Sequence, residues 1–188
     1  WYNYIVQHNP TPNGFQTGKG AAYESDLRDK RFARVYRLLA QDSGDDVRSR
    51  TLQLAQASNA ELVNTLRDKN FFWRRTAQRL LVERGATDEA TLESLVALVT
   101  HGQVDEIGLD PAAMHAIWTL AGIADSGSER ASRSLAQACD AGFEHVSSTV
   151  RNAAAASFAD DQIAQAVKLG LHHDVDPKVQ LTDRKSVV

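Results

Sequence analysis

From residue 58 onward, apolar side chains recur every three or four positions, and capping residues or glycines separate one apolar run from the next. This spacing predicts a series of short amphipathic helices. Ser58-Asn59-Ala60-Glu61 is a capping box, and Asp110-Pro111 is a second helix start. Helices are expected to stop at four glycines, Gly85, Gly102, Gly142 and Gly170. The predicted helices cover residues 58–66, 71–81, 92–99, 110–121, 131–138, 150–158 and 163–167, with an eighth beginning at Asp176-Pro177.

The first forty residues follow a different pattern. β-branched and aromatic runs at residues 4–6 and 33–38 predict two short strands, and the Pro- and Gly-containing stretch between them predicts an irregular connection. Two strands are marginal alone in water, so we expect this segment to belong to a larger β structure. The predicted organisation is therefore a β segment at 1–40, a linker at 41–57 and helices over 58–182.

The second helix of each predicted pair carries a comparable stretch. We take four residues as equivalent positions of the repeat: Trp73, Ala112, Val150 and Val179. The spacings between them are unequal, which suits helical hairpins joined by loops of variable length. The Val-Arg-x-x-Ala core with its Asp-capped turn resembles the HEAT repeat. The predicted fold class is all-α, a HEAT-like α-solenoid of about three and a half hairpins, preceded by a short β or irregular segment.

Charge and cysteine content exclude several classes of function. The 188 residues carry a net charge of -3. Residues 1–40 hold six basic and three acidic side chains, which leaves -6 for residues 41–188 and argues against a dedicated nucleic-acid binder. The single Cys139 excludes an internal disulfide and an all-thiolate metal site. We expect Cys139 to be a small buried residue and not a nucleophile.

Longer strings of residues carry a more specific resemblance. Residues 5–12, Gly18-Lys19-Gly20, residues 27–30 and residues 76–85 resemble large secreted proteins of planctomycete-type bacteria. These are the membrane-bound dehydrogenase or haem-binding proteins, in which a sugar-dehydrogenase-like β-propeller precedes HEAT repeats and a cytochrome c module. Two departures weaken the match. Phe32-Ala33 replaces an expected His-Gly pair, and the absence of Cys-x-x-Cys-His rules out covalent haem c attachment here.

The resemblance implies several properties of a larger parent protein. Residues 1–40 are then the C-terminal tail of a propeller, and the parent lies outside the cytoplasm, in the periplasm or secreted. Its own propeller and cytochrome c domains are the implied partners. Haem c and a quinone or metal cofactor are implied for the parent, and no cofactor or metal is expected in residues 1–188. We expect residues 183–188, which break the repeat and match a translated sequencing adapter, to be a sequencing read-through scar on a truncated chain. In the alternative interpretation they are a genuine tail.

His8 and Asp29 are candidate residues of a site at the mouth of the propeller, because irregular segments often carry function. In the alternative interpretation, His8 caps a turn and Asp29 pairs with Arg28 or Lys30.

Arg74, His115 and Arg151 occur near the same place in successive second helices. They are candidates for one concave stripe that faces a partner or an acidic ligand. In the alternative interpretation, the arginines hydrogen-bond the neighbouring turn.

Other chemistry-bearing residues have simpler interpretations. His172-His173-Asp174 with Asp176 has ligand-type side chains, but we expect a solvated turn, because adjacent residues seldom converge on one ion. Trp73 and Trp118 are expected in the core.

Three functions stay open from the sequence. The leading one is a noncatalytic helical-repeat scaffold or interaction module. The second is part of a PQQ- or sugar-dehydrogenase-like oxidoreductase with active-site elements in residues 1–40, so whether the parent is an enzyme stays undecided. The third, a HEAT-like DNA glycosylase, is disfavoured by the charge of -6 over residues 41–188.

Overall fold

The structure is a computed structural model that describes residues 53–157, 170 and 173–180. All of these residues belong to the compact unit Leu52–Val188. The β segment predicted for residues 1–40, the helix predicted at 163–167 and the scar predicted at 183–188 lie outside the described residues.

Residues 53–157 fold as a succession of helices. Their positions confirm the helices predicted from the apolar spacing, and the described residues contain no strand. A further helical turn covers residues 177–180, where Asp176-Pro177 predicted a helix start. The six helices are α1 (Asn59–Thr65), α2 (Phe71–Glu83), α3 (Glu89–Thr100), α4 (Pro111–Ala124), α5 (Glu129–Phe143) and α6 (Ser148–Ser157).

Local capping explains why the helices begin where they do. The Ser58 hydroxyl accepts from the N–H of Glu61, and the Glu61 carboxylate accepts from the N–H of Ser58 at 2.7 Å, which completes the capping box. At α4, Asp110 accepts from the N–H of Ala113 at 2.9 Å, and Pro111 occupies the first helical position. Both predicted starts are confirmed.

The helices pack in a regular order along the chain. Contacts join α1 to α2, α3 to α4, α4 to α5 and α5 to α6, and α1, α3 and α5 contact one another in sequence, as do α2, α4 and α6. Their apolar faces meet in one core, whose fully buried members include Leu62, Leu81, Leu95, Ile117 and Leu120. Cys139 is also fully buried, as expected. Burial of these faces is the main force that stabilises helices too short to persist alone.

Gly142 does not end α5 as predicted, because the helix continues to Phe143. The glycine is buried, and a Cβ at this position would lie 2.9 Å from the Cβ of Ala154 and 3.2 Å from Cδ1 of Ile117. Gly142 therefore allows α5 to approach α6 closely. By contrast, Gly85 follows α2 with a φ of 57°, the left-handed conformation expected of a helix stop.

The aromatic residues of α2 and α4 are less buried than their spacing predicted. Trp73 is half-buried and packs against the core, whereas Trp118 is 38% exposed, so the prediction of a core position was wrong for Trp118. Phe71 and Phe72 are 55% and 62% exposed. The buried stripe of α2 is formed by Ala77 and Leu81 instead.

Candidate functional site

Exposed aromatic rings and an arginine share one surface across α2 and α4. We call this surface the aromatic face and define it as Phe71, Phe72, Arg74, His115 and Trp118. The ring centroid of His115 lies 6.0 Å from that of Phe71 and 5.5 Å from that of Trp118, which it meets edge-on. The Arg74 guanidinium carbon lies 5.7 Å from the centroid of the Phe71 ring, within cation–π distance.

His115 forms the buried floor of the aromatic face, with 1% of its surface exposed. Its Nδ1 lies 2.6 Å from Oε1 of Gln78, and because an amide oxygen can only accept, Nδ1 carries the proton. Burial and, to a smaller extent, the charge of Arg74 lower the pKa of His115 to about 4. The ring is therefore neutral near neutral pH, and its buried Nε2 has no hydrogen-bond partner among the described residues.

Arg74 is held by the turn before its own helix. Its Nη1 donates to the carbonyl oxygens of Asp68 at 2.7 Å and Lys69 at 2.9 Å. Its Nε is buried without a hydrogen-bond partner, and no carboxylate of the described residues pairs with the guanidinium. One edge of the guanidinium thus carries an unused donor.

Arg151 of α6 repeats this arrangement with one addition. Its Nη1 donates to the carbonyl oxygens of His145 at 2.9 Å and Val146 at 3.0 Å, again six and five residues upstream. Its Nε and Nη2 bind the Asp174 carboxylate at 2.6 and 2.8 Å. This bidentate pair is the strongest geometry available to an arginine and a carboxylate.

The turn around Asp174 is exposed as expected, with Val175 93% exposed, but the Asp174 side chain itself is covered. Its side chain is 7% exposed, and the hydrogen bonds from Arg151 lower the pKa of the Asp174 carboxyl below its usual value. The same carboxylate accepts from the N–H of Asp176 at 2.8 Å, so it also shapes the turn before the helical residues 177–180.

The helix starts define a register that relates these residues. Arg74 and Arg151 are the fourth residues of α2 and α6, and Gln180 is the fourth of residues 177–180 and donates to the carbonyl of Asp174, six residues upstream. In α4 the fourth residue is Met114, so His115 lies one position beyond the two arginines.

Gly108 lies three residues before the first helical position of α4. Asp174 lies three residues before the first of the helical residues 177–180, so the two occupy the same position in the register. Gly108 has no side chain to offer a carboxylate.

The remaining predicted candidates occupy other places. His8 and Asp29 lie outside the described residues, as does His172. Among residues that the structure describes, no three His, Cys, Asp or Glu side chains are placed to hold a metal ion.

A buried pair that the sequence did not indicate joins α4 to the turn before α6. Nε2 of His145 lies 3.7 Å from Oδ2 of Asp110, and Nδ1 of His145 accepts from the N–H of Ser147 at 3.0 Å. Burial lowers the pKa of His145, the Asp110 carboxylate opposes this shift and Arg151 adds to it.

A polar groove lies between α3 and α5, away from the aromatic face. It holds two glutamates and two arginines, so charges of both signs balance along it and favour no particular ligand. The lining residues are Glu89, Leu92, Glu93, Arg130, Arg133, Ser134 and Gln137.

Comparisons with protein-family models, with curated protein sequences and with solved structures found no match to the chain. In the part of the chain that the structure describes, every helix is too short or too polar to cross a lipid bilayer.

Sequence reasoning identified Arg74, His115 and Arg151, and the interpretation in which the arginines hydrogen-bond the neighbouring turn is confirmed for Arg74 and Arg151. It missed the side-chain partners. The partners Gln78 and Asp174 lie 37 and 23 residues from the residues they bind, beyond any local pattern. One signal for the shared role of the two arginines was available in the sequence. Counted from the helix caps, Arg74 and Arg151 are both the fourth residue of their helix. An alignment of the helices by their N-caps would also have shown that Gly108 is the counterpart of Asp174.

Proposed function

We propose that this chain contains a noncatalytic helical-repeat scaffold that binds other proteins or domains through the aromatic face. The observation that carries the proposal is the exposure of Phe71, Phe72 and Trp118 on adjacent, contacting helices. Aromatic residues and arginine are enriched at protein interfaces, where rings supply apolar area and guanidinium groups supply directed hydrogen bonds.

The repeat character is supported by two features of the described residues. The helices contact each other within the pairs α1–α2, α3–α4 and α5–α6, and alternate helices also contact each other, which is the packing pattern of stacked helical hairpins. Arg74 and Arg151 also bond the carbonyls six and five residues upstream in the same way. We propose a HEAT-like α-solenoid on this basis.

The family resemblance places the scaffold in a larger protein outside the cytoplasm. In that setting it would hold a propeller domain and a cytochrome c domain at a workable separation. The propeller tail at residues 1–40, the redox chemistry of the parent and its haem and quinone or metal cofactors rest on the resemblance.

Two measurements on the full chain test the proposal. The first compares Phe72→Ser with Leu81→Ala in urea unfolding. A surface ring should cost less than about 1 kcal/mol when replaced, whereas a buried leucine should cost about 2–5 kcal/mol. Equal losses would show that Phe72 stabilises the core and is not available to a partner.

The second measurement is turnover with sugars or simple alcohols and an artificial electron-accepting dye. No turnover is expected from the scaffold. Turnover that survives repurification would overturn the noncatalytic assignment and favour the oxidoreductase alternative.

A further inference from the structure

We infer that the Arg74 edge of the aromatic face is a docking site for an acidic turn of a partner protein, which presents an aspartate as Asp174 does to Arg151. The inference rests on the proposed binding function and specifies the chemistry of what binds there.

The two arginines share their contacts with the preceding turn but differ in how their remaining donors are used. Both use Nη1 on the carbonyls of the preceding turn. Arg151 also donates from Nε and Nη2 to the Asp174 carboxylate. Nε of Arg74 is buried and has no hydrogen-bond partner among the described residues. A buried donor without an acceptor is costly, so an incoming carboxylate would gain both a hydrogen bond and the relief of that cost.

The register explains why the chain does not supply this carboxylate itself. Gly108 occupies the position before α4 that Asp174 occupies before residues 177–180. Gly108 is exposed, and a Cβ built on it meets nothing within 4 Å. A side chain at position 108 would therefore enter open space.

The surrounding charge favours an acidic occupant. α2 carries three arginines, and its one glutamate, Glu83, pairs with Arg79 at 3.1 Å. α4 contributes no Asp, Glu, Lys or Arg. The two helices therefore carry a charge of +2, three arginines less one glutamate, while the loop that holds Gly108 contributes Asp105 and Glu106.

The aromatic side chains suit a protein turn better than a free anion. The Phe71 ring lies 5.7 Å from the guanidinium carbon of Arg74 and is 55% exposed, so it is free to rotate. Phe71 and Trp118 both lie beside the His115 ring and offer exposed apolar area to residues next to a bound carboxylate. Such burial around a charge-assisted pair strengthens it by excluding water.

The probe for the experiment is a synthetic peptide with the sequence of residues 172–180, blocked at both ends, and its Asp174→Asn counterpart. Binding to the full chain is followed by NMR, with the indole N–H of Trp118 as the local reporter. Arg74→Gln should weaken peptide binding at least about tenfold, the effect of one charge-assisted bidentate contact. Arg75→Gln is the matched control, because Arg75 is adjacent, exposed and equally charged. It should weaken binding less than about threefold.

Arg74→Lys and a second pair of variants guard against a simple loss of folding. The lysine keeps the charge but not the fork, so it should lose affinity while circular dichroism stays unchanged. Gly108→Asp should fill the site from within and block the peptide. Gly108→Asn shares the left-handed backbone, with φ at 79°, and lacks the charge, so it should leave binding intact.

Several results would overturn the inference. They are no binding of the acidic peptide, equal binding of its Asn counterpart, equal losses in the Arg74 and Arg75 variants, or no difference between the two Gly108 variants. Tighter binding of inorganic phosphate or duplex DNA than of the peptide would also overturn it. These outcomes leave the proposed function standing, since the noncatalytic assignment fails through turnover and the binding role of the aromatic face fails through a core role for Phe72.

Discussion

Acidification should destabilise this protein through His115. The ring is 1% exposed, and its pKa falls from 6.5 to about 4 on folding because burial penalises the imidazolium. The unfolded chain therefore binds this proton more tightly than the folded one. The stability contributed by neutral His115 is complete above pH 6.5 and is lost as the pH falls toward 4. At about 1.4 kcal/mol for each pKa unit, the loss approaches roughly 3 kcal/mol.

The assay combines two measurements on the full chain. NMR titration of the imidazole resonances gives the pKa of His115 directly. Urea unfolding followed by tryptophan fluorescence gives the free energy of unfolding at each pH, and Trp118 lies against the His115 ring. His115→Asn keeps a donor toward Gln78 and removes the titrating ring. This variant should lose about 3 kcal/mol of the pH dependence between neutral pH and 4, whatever its stability at neutral pH.

The Gln78→Glu substitution tests the same reasoning by shifting the pKa of His115 in the opposite direction. Its carboxylate would lie about where Oε1 now lies, 2.6 Å from Nδ1 of His115. A negative charge at that distance favours the imidazolium, so the pKa of His115 should rise and the loss of stability in acid should shrink. The reasoning is refuted if His115 titrates at 6.5 in the folded protein, or if wild type and His115→Asn show the same pH dependence.

Three further outcomes are expected. Cys139 should resist thiol reagents in the folded chain at mildly alkaline pH, because burial raises the pKa of its thiol to about 12; rapid labelling without denaturant would contradict this. Gly142→Ala should cost about 1–3 kcal/mol in thermal unfolding, since its Cβ would crowd Ala154, and adding Ala154→Gly should restore part of the loss; unchanged stability would show that the helices separate freely. A double-mutant cycle of Arg151→Gln with Asp174→Asn should give a coupling energy of about 1–3 kcal/mol, and a coupling near zero would mean that the pair behaves as a solvated one.

Helix positions could be predicted because their signals are local. The capping box at Ser58 and the Asp110-Pro111 start act within one helical turn, and the structure shows the hydrogen bonds that the sequence implied. Gly142 shows where local interpretation fails. A glycine near a helix end usually marks a stop, but here the close approach of Ala154 makes Gly142 a contact residue inside α5.

Candidate residues could be chosen by type and spacing, but their roles could not. Arg74 and Arg151 share a register and bond the preceding turn alike, yet among the residues that the structure describes a carboxylate pairs with Arg151 and none pairs with Arg74. Whether such an arginine pairs with a carboxylate depends on a residue in a distant loop. For Arg151 that residue is Asp174, which lies in the loop before the helical residues 177–180. No pattern within one helix contains that information.

The amino-acid sequence by itself determined that residues 58–157 form short amphipathic helices, because caps and apolar periodicity act over a few residues. Tertiary packing decided which side of each helix is covered. Trp118 was expected in the core from its spacing, but α4 buries Ile117 instead and leaves the Trp118 ring 38% exposed. The physical reason is that burial depends on the neighbours that the fold supplies, and those neighbours come from distant parts of the chain.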